Sequence, residues 1–172
     1  YMSNNSIPVL AFVGLSKTGK TSLIESLIPI FCSKGIRVAV IKHHHLGFDI
    51  DIPGKDTHRF KQAGAQTVII SSPDKIAVIK DSFVEPEVED IISRYVTETD
   101  IVIIEGYKKA KLPKIEVYIR KEDQPPLCLD DENLLAIVTD LPFSAHVPVF
   151  SRDDKECISE FIFSHFALRP SG

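Results

Sequence analysis

Gly14-Leu15-Ser16-Lys17-Thr18-Gly19-Lys20-Thr21 matches G-x-x-x-x-G-K-[ST] at every constrained position. The apolar run Val9-Leu10-Ala11-Phe12-Val13 leads straight into it. Behind it, Leu23, Leu27, Ile30 and Phe31 recur at helical spacing. Strand, glycine-bounded loop and helix form the context that a phosphate-binding P-loop requires. Successive backbone N–H groups and the positive end of the helix dipole make a concave anion site. Lys20 adds a full charge for β- and γ-phosphates, and the Thr21 hydroxyl suits a Mg²⁺ ion. The candidate phosphate-binding residues are Gly14, Leu15, Ser16, Lys17, Thr18, Gly19, Lys20, Thr21 and Ser22.

Around this loop, 172 residues suit one α/β domain with a substantial core. The expected domain spans 1–172, with 1–6 disordered or added and 168–172 frayed. A net charge of −4 argues against a broad nucleic-acid surface, which needs a basic excess. The cysteines Cys32, Cys128 and Cys157 are widely spaced and form no C-x-x-C, which fits a reduced, cytoplasmic protein. The polar stretch Tyr1 to Ser6 is not expected to be a signal peptide, and no apolar run approaches membrane-spanning length.

Along the chain, the first helix is expected to stop at Gly35 and to kink at Pro29, which lacks an N–H. Ile36 to Ile41 reads as a second buried strand, so the unit is a β-α-β crossover in a parallel sheet. The loop that follows, Lys42 to Asp56, leaves the carboxyl end of a strand, where open α/β sheets place ligands. It is dense in His, Asp and Lys. Consecutive side chains His43, His44 and His45 point to opposite faces of extended backbone, which favours a polar active-site loop over a dedicated Zn²⁺ site. Asp56 is a plausible N-cap for a helix from Thr57 to Ala63. Gln66 to Ser71 and Lys75 to Lys80 read as a hairpin at a sheet edge, split by Ser72-Pro73-Asp74. A helix is expected over Val84 to Thr97.

Asp100-Ile101-Val102-Ile103-Ile104-Glu105-Gly106 is the second chemical signal. A β-branched apolar strand ending in an acid resembles a Walker-B strand, whose carboxylate would lie near the P-loop and its Mg²⁺. Lys114 to Arg120 reads as a half-exposed strand and Lys121 to Glu132 as a surface loop. Leu134 to Val138 reads as a core strand ending in Thr139-Asp140, and Val147 to Phe150 as a last short one. Asp153 to Ala167 closes the chain as an amphipathic helix. The expected fold is three-layer α/β, P-loop NTPase-like, with a mostly parallel central sheet, helices on both faces and an antiparallel hairpin at the edge.

These motifs occur in an order that resembles one family. The P-loop with Ser22-Leu23 comes first, then Ile41-Lys42-His43, then Asp51-Ile52-Pro53-Gly54-Lys55-Asp56 with Ala63-Gly64-Ala65. Glu105-Gly106-Tyr107-Lys108 and Ala136-Ile137-Val138-Thr139-Asp140 follow. This pattern is similar to the molybdopterin-guanine dinucleotide biosynthesis protein B family, MobB, over nearly the whole chain. The resemblance implies a cytoplasmic, dimeric GTP-binding adapter with weak GTPase activity. Such an adapter assists the guanylyltransferase that joins GMP to Mo-molybdopterin. The chain departs from the family pattern at Lys17, where a small residue is usual, and at Leu46-Gly47, where some members carry His-Asp.

On this reading GTP phosphates lie on Leu15 to Thr21, and Mg²⁺ is held by Thr21 with Glu105 or Asp51. Asp140 either accepts from guanine N1 and N2 or serves as a turn residue before Leu141-Pro142. The loop carrying His43, His45, Asp49, Lys55 and Asp56 either responds to the γ-phosphate or faces Mo-molybdopterin or a partner enzyme. Arg59 is a candidate arginine in the switch-like helix. Lys17 either tightens phosphate binding or obstructs it. Two other classes compete. A small-molecule kinase would need an arginine-rich lid, whereas the six arginines are spread singly. A metallochaperone-type GTPase for nickel would need a Cys or Cys-His pair. An edge strand, Ile76 to Ile79 or Ile115 to Ile119, is the expected dimer contact.

Overall fold

The computed structural model describes residues 7–44, 47–119 and 124–169. They divide into two compact units, one running to His43 and resuming at Thr97, the other formed by His44–Val96. No helix among the described residues is long and apolar enough to cross a membrane.

The first unit is a six-stranded sheet with helices. Strands β1 (Val9–Val13), β2 (Val38–Lys42), β5 (Ile101–Glu105), β6 (Lys114–Val117), β7 (Leu134–Val138) and β8 (Val149–Phe150) lie in the order β2-β5-β1-β6-β7-β8. Every pairing is parallel. The core follows from composition: β1 and β5 bury Leu10, Phe12, Ile101 and Ile103 almost completely. Helix α1 (Lys20–Ser33) adds Leu23, Leu27 and Phe31, and α4 (Lys155–Phe166) adds Ile158 and Ile162. Each such side chain taken from water contributes roughly 1.5–3 kcal/mol. Helix α1 continues through Pro29 as one element.

Two strands differ from their sequence reading. Among the described residues β2 is the edge of the sheet, paired with β5, and Val40 on it is 47% exposed rather than buried. β6 is interior, between β1 and β7, and buried at all four positions rather than half exposed. Its alternation of charged and apolar residues suggests a wet face, but both charges are compensated inside. Lys114 Nζ lies 2.5 Å from Asp131 Oδ2 and donates to Ala110 O at 2.9 Å and Lys108 O at 3.2 Å. Glu116 accepts from the Leu127 and Cys128 N–H groups at 2.7 and 2.9 Å. Buried charges survive only when so satisfied. These two anchors tie down the connections on either side of β6. The Lys114 hydrogen bond, followed by the Asn133 backbone N–H, holds the Asp131 carboxyl down to about 2. Ile119 is described and Arg120 lies outside the described residues. An interior β6 therefore removes Ile115 to Ile119 as an edge contact for a dimer.

The second unit holds α2 (Asp56–Gln62), β3 (Thr67–Ser72), β4 (Lys75–Lys80) and α3 (Val88–Tyr95). β3 and β4 pair antiparallel, from Thr67 with Lys80 to Ser72 with Lys75, as a two-stranded sheet. Asp56 is the first residue of α2, and Lys55 takes the N-cap place without a side-chain bond, so the expected cap at Asp56 is not formed. Lys61 Nζ fastens α2 to the hairpin, donating to Ala65 O at 2.8 Å and pairing with Asp81 at 2.6 Å. Helix α3 begins four residues later than expected because Pro86 disfavours helical backbone at Glu85 and Glu87 is extended.

Candidate nucleotide-phosphate site

The sheet register builds the first part of the site. Phe12 of β1 and Lys42 of β2 are both register partners of Glu105 of β5. The carboxyl ends of three adjacent parallel strands are thereby aligned. The chain leaves β1 through Gly14, whose φ of 140° and close approach to Val117 O leave no space for a Cβ. Thr18 is buried and its hydroxyl donates to Leu15 O at 3.1 Å, which closes the loop upon itself. Gly19, at φ 86°, then opens α1.

Lys20 folds back over this loop, donating to Leu15 O at 2.7 Å and Gly14 O at 3.2 Å. Burial holds its pKa below the usual lysine value, Glu105 opposes that shift and Lys42 adds to it. Thr21 Oγ1 lies 2.8 and 2.9 Å from the two carboxylate oxygens of Glu105. Lys42 Nζ is 3.3 Å from Glu105 Oε2 and 3.5 Å from Thr21 Oγ1. A hydroxyl and a carboxylate make a hard oxygen pair, the donor chemistry that suits Mg²⁺. Thr21 and Glu105 therefore fit the metal role read from the sequence, with the Lys42 ammonium as a cation beside the same oxygens.

The third proposed metal residue, Asp51, belongs to the second unit. Its Oδ1 accepts from Thr57 Oγ1 at 2.8 Å and from Ile52 N at 2.9 Å. Its Oδ2 is buried and has no hydrogen-bond partner among the described residues. An orphaned carboxylate oxygen suits a cationic or donor ligand.

Lys17 stands in the loop between Ser16 and the buried Thr18. It takes φ 63°, the left-handed conformation, with its side chain exposed. A small residue, above all glycine, adopts that backbone more readily.

Asp140, just beyond β7, is exposed, and its carboxylate is engaged by the turn after β8. Oδ1 accepts from Arg152 N at 3.0 Å and from Ser151 Oγ at 3.4 Å. Arg152 Nε lies 3.4 Å from Oδ2. The same guanidinium packs against Gly19, whose added Cβ would run into its terminal nitrogen.

The histidine-rich segment spans both units. His43 belongs to the first, where its N–H donates to Glu105 O at 3.0 Å and its ring stacks on Tyr107 with centroids 4.2 Å apart. Gly106, between Glu105 and Tyr107, sits against the His43 side chain at φ 110°. His45 lies outside the described residues. Asp49, Lys55 and Asp56 are exposed in the second unit, Asp56 paired with Arg59 at 3.7 Å. Among the described residues no group of three or more His, Cys, Asp or Glu side chains is placed to hold a metal ion.

Sequence reading missed Lys42 and Arg152. Both have a usable signal, since Lys42 is the last residue of β2 and Arg152 stands just beyond β8, at the carboxyl ends of parallel strands where ligands gather in such sheets.

The family profile of molybdopterin guanine dinucleotide synthesis protein B, MobB, matches residues 9–140. The chain is 34% identical over 160 residues to a molybdopterin-guanine dinucleotide biosynthesis adapter protein of Escherichia coli (strain K12), with 91% of each covered. It is 36% identical to the protein of the same name from Haemophilus influenzae, covering 92% of this chain and 89% of that one. Among solved structures, a molybdopterin-guanine biosynthesis protein B superposes with TM-score 0.73 at 33% identity, covering 92% of this chain and 99% of its own. Bacillus subtilis MobB superposes with TM-score 0.74 at 25% identity, covering 96% and 100% respectively.

Proposed function

The chain belongs to the family of molybdopterin guanine dinucleotide synthesis protein B, MobB, and from that membership we propose that it works as a GTP-binding adapter. Its place is in molybdenum-cofactor biosynthesis, at the formation of molybdopterin guanine dinucleotide. The observation that carries the nucleotide reading is the convergence of Lys20, Thr21 and Glu105 at the phosphate loop.

GTP would lay its phosphates on the N–H groups of residues 15–22, trading the Leu15 and Gly14 carbonyls on Lys20 for phosphate oxygens. Thr21 and Glu105 would hold Mg²⁺, which supplies charge neutralisation between β- and γ-phosphates. From the sequence, Asp51 is proposed as the alternative to Glu105 for that ion. Asp140 would read guanine N1 and N2, since two donors of the base meet one carboxylate. Positioning and charge alone suffice for slow hydrolysis, so a weak GTPase activity belongs to the proposal. His43, His45, Asp49, Lys55 and Asp56 are proposed as the segment that responds to the nucleotide or offers a surface to Mo-molybdopterin.

The partner we propose is the guanylyltransferase that joins GMP to Mo-molybdopterin, in the cytoplasm. A homodimer is proposed through β4, whose Ile76 and Val78 are 70% and 42% exposed on a two-stranded sheet that pairs with no further strand among the described residues. Phe60, Ala65 and Ile69 line a cleft of about 460 Å³ beside the same hairpin.

Reconstitution tests the adapter role. Added to a guanylyltransferase and Mo-molybdopterin with GTP, the chain should raise the yield of dinucleotide, and Lys20→Ala should abolish the gain. An unchanged yield with the wild-type chain would overturn it.

A further inference from the structure

Arg152 lies against the candidate nucleotide site, at Gly19 and Asp140, although no motif contains it. It stands in the turn between β8 and α4, in Ser151-Arg152-Asp153-Asp154. Its backbone N–H is fixed by Asp140 Oδ1 at 3.0 Å, and its guanidinium reaches the phosphate loop at Gly19. A side chain on Gly19 would strike that guanidinium, so the close approach depends on glycine there. One residue thus touches the acid read as the base contact and the loop read as the phosphate cradle.

One donor of the guanidinium, Nε, is unsatisfied where it lies. The group carries donors only. Nε is buried without a hydrogen-bond partner among the described residues, and Asp140 Oδ2 at 3.4 Å is an ion pair rather than a well-formed bond. A buried donor without an acceptor is unfavourable, and a group kept only for packing would be expected to find one. An acceptor-only anion placed on the neighbouring loop would satisfy it. Phosphoryl oxygens have that chemistry, and arginine's planar fork matches them.

We propose that Arg152 is a binding residue of the nucleotide site, donating to a phosphoryl oxygen of the bound nucleotide while its backbone holds Asp140 for the base. This rests on the guanine-nucleotide reading above for the base, but its phosphate contact requires only an anion on the loop. Nucleotide binding would then draw the guanidinium from Asp140 Oδ2 toward phosphate and leave the backbone bond to Oδ1 in place. Lys20, at the start of α1, and Arg152, in the turn after β8, would supply charge from opposite ends of the chain.

Calorimetric titration of the full chain with GTP, ATP and inorganic pyrophosphate tests this for wild type, Arg152→Ala, Arg152→Lys and, as a charge-loss control, Arg94→Ala. Arg94 lies on α3 in an exposed pair with Asp90. Arg152→Ala should lose about ten- to a hundredfold in affinity for both GTP and pyrophosphate, the range of a charge-assisted hydrogen bond. Arg152→Lys should recover part of that loss, and Arg94→Ala should match wild type. Thermal unfolding of each variant checks the fold, and Arg152→Lys carries the test if the alanine variant melts early. Unchanged pyrophosphate affinity in both Arg152 variants overturns the proposal, even where the GTP-to-ATP preference falls, because Arg152 would then serve Asp140 alone. Pyrophosphate binding that depends on Arg152, with no preference for GTP over ATP, upholds it and removes the guanine reading. Absence of binding by any of these ligands to wild type overturns both.

Discussion

Thr21 and Glu105, 84 residues apart in sequence, meet side chain to side chain at 2.8 and 2.9 Å. The parallel pairing of β1 with β5 brings them together, since Phe12 and Glu105 are register partners and the phosphate loop follows Phe12 closely. A hydroxyl and a carboxylate joined directly make a preformed oxygen site for a hard cation. Glu105→Gln should therefore keep the fold, because glutamine still accepts from Thr21, yet weaken the Mg²⁺-dependent part of nucleotide binding by about tenfold or more, as expected for loss of a charged ligand. Nucleotide affinity measured across a Mg²⁺ series reads this directly. An unchanged Mg²⁺ response would remove Glu105 from the metal site.

Lys42 shares that carboxylate, at 3.3 Å from Oε2. A cation held there opposes a second one by simple repulsion. Lys42→Met should lower the Mg²⁺ concentration that half-saturates nucleotide binding, and salt should narrow the difference from wild type. A higher Mg²⁺ requirement in the variant would show that Lys42 serves the phosphates instead.

Lys17 holds left-handed backbone at φ 63° with an exposed side chain. For a non-glycine residue that conformation costs about 1–2 kcal/mol, part of which glycine returns through its greater freedom when unfolded. Lys17→Gly should stabilise the chain by about 0.5–1 kcal/mol, visible as a higher urea midpoint at unchanged slope. A lower midpoint would mean that the lysine side chain makes contacts worth more than its strain.

Asp131 and the buried Lys114 give the fold an acid-sensitive clamp. The Lys114 hydrogen bond holds the Asp131 carboxyl near 2, against 3.8 for the free group. A depressed carboxylate stabilises the folded state above its unfolded value and loses that contribution as pH falls through its folded one. Wild type should therefore shed this contribution between about pH 4 and 2. Asp131→Asn should be less stable at pH 7, with the gap closing across the same window. Urea unfolding of both proteins at successive pH values measures it, and a constant gap would contradict the assignment.

The strand, loop and helix of the candidate phosphate site were legible in the sequence because their pattern is local and contiguous from Val9 to Ser33. Glu105 was legible because a β-branched run ending in an acid marks a strand beside the loop. Three things were hidden for reasons of long-range pairing. β6 alternates like a half-wet strand, but Lys114 and Glu116 find partners in Asp131 and in the backbone at 127–128, which spacing alone does not reveal. The position of β2 at the edge depends on β5 inserting beside β1, a matter of strand order rather than composition. Arg152 has no motif around it, and only the closure of β8 against β7 brings it to Asp140 and Gly19.

The central claim is that this phosphate loop serves a guanine nucleotide with Mg²⁺. Calorimetric titration of the wild-type chain with GTP, GDP and ATP, each with and without Mg²⁺, tests it most directly. The structure and the family lead to binding of GTP and GDP in preference to ATP, strengthened by Mg²⁺ for GTP. A preference for ATP, or no binding of guanine nucleotides at all, would contradict it.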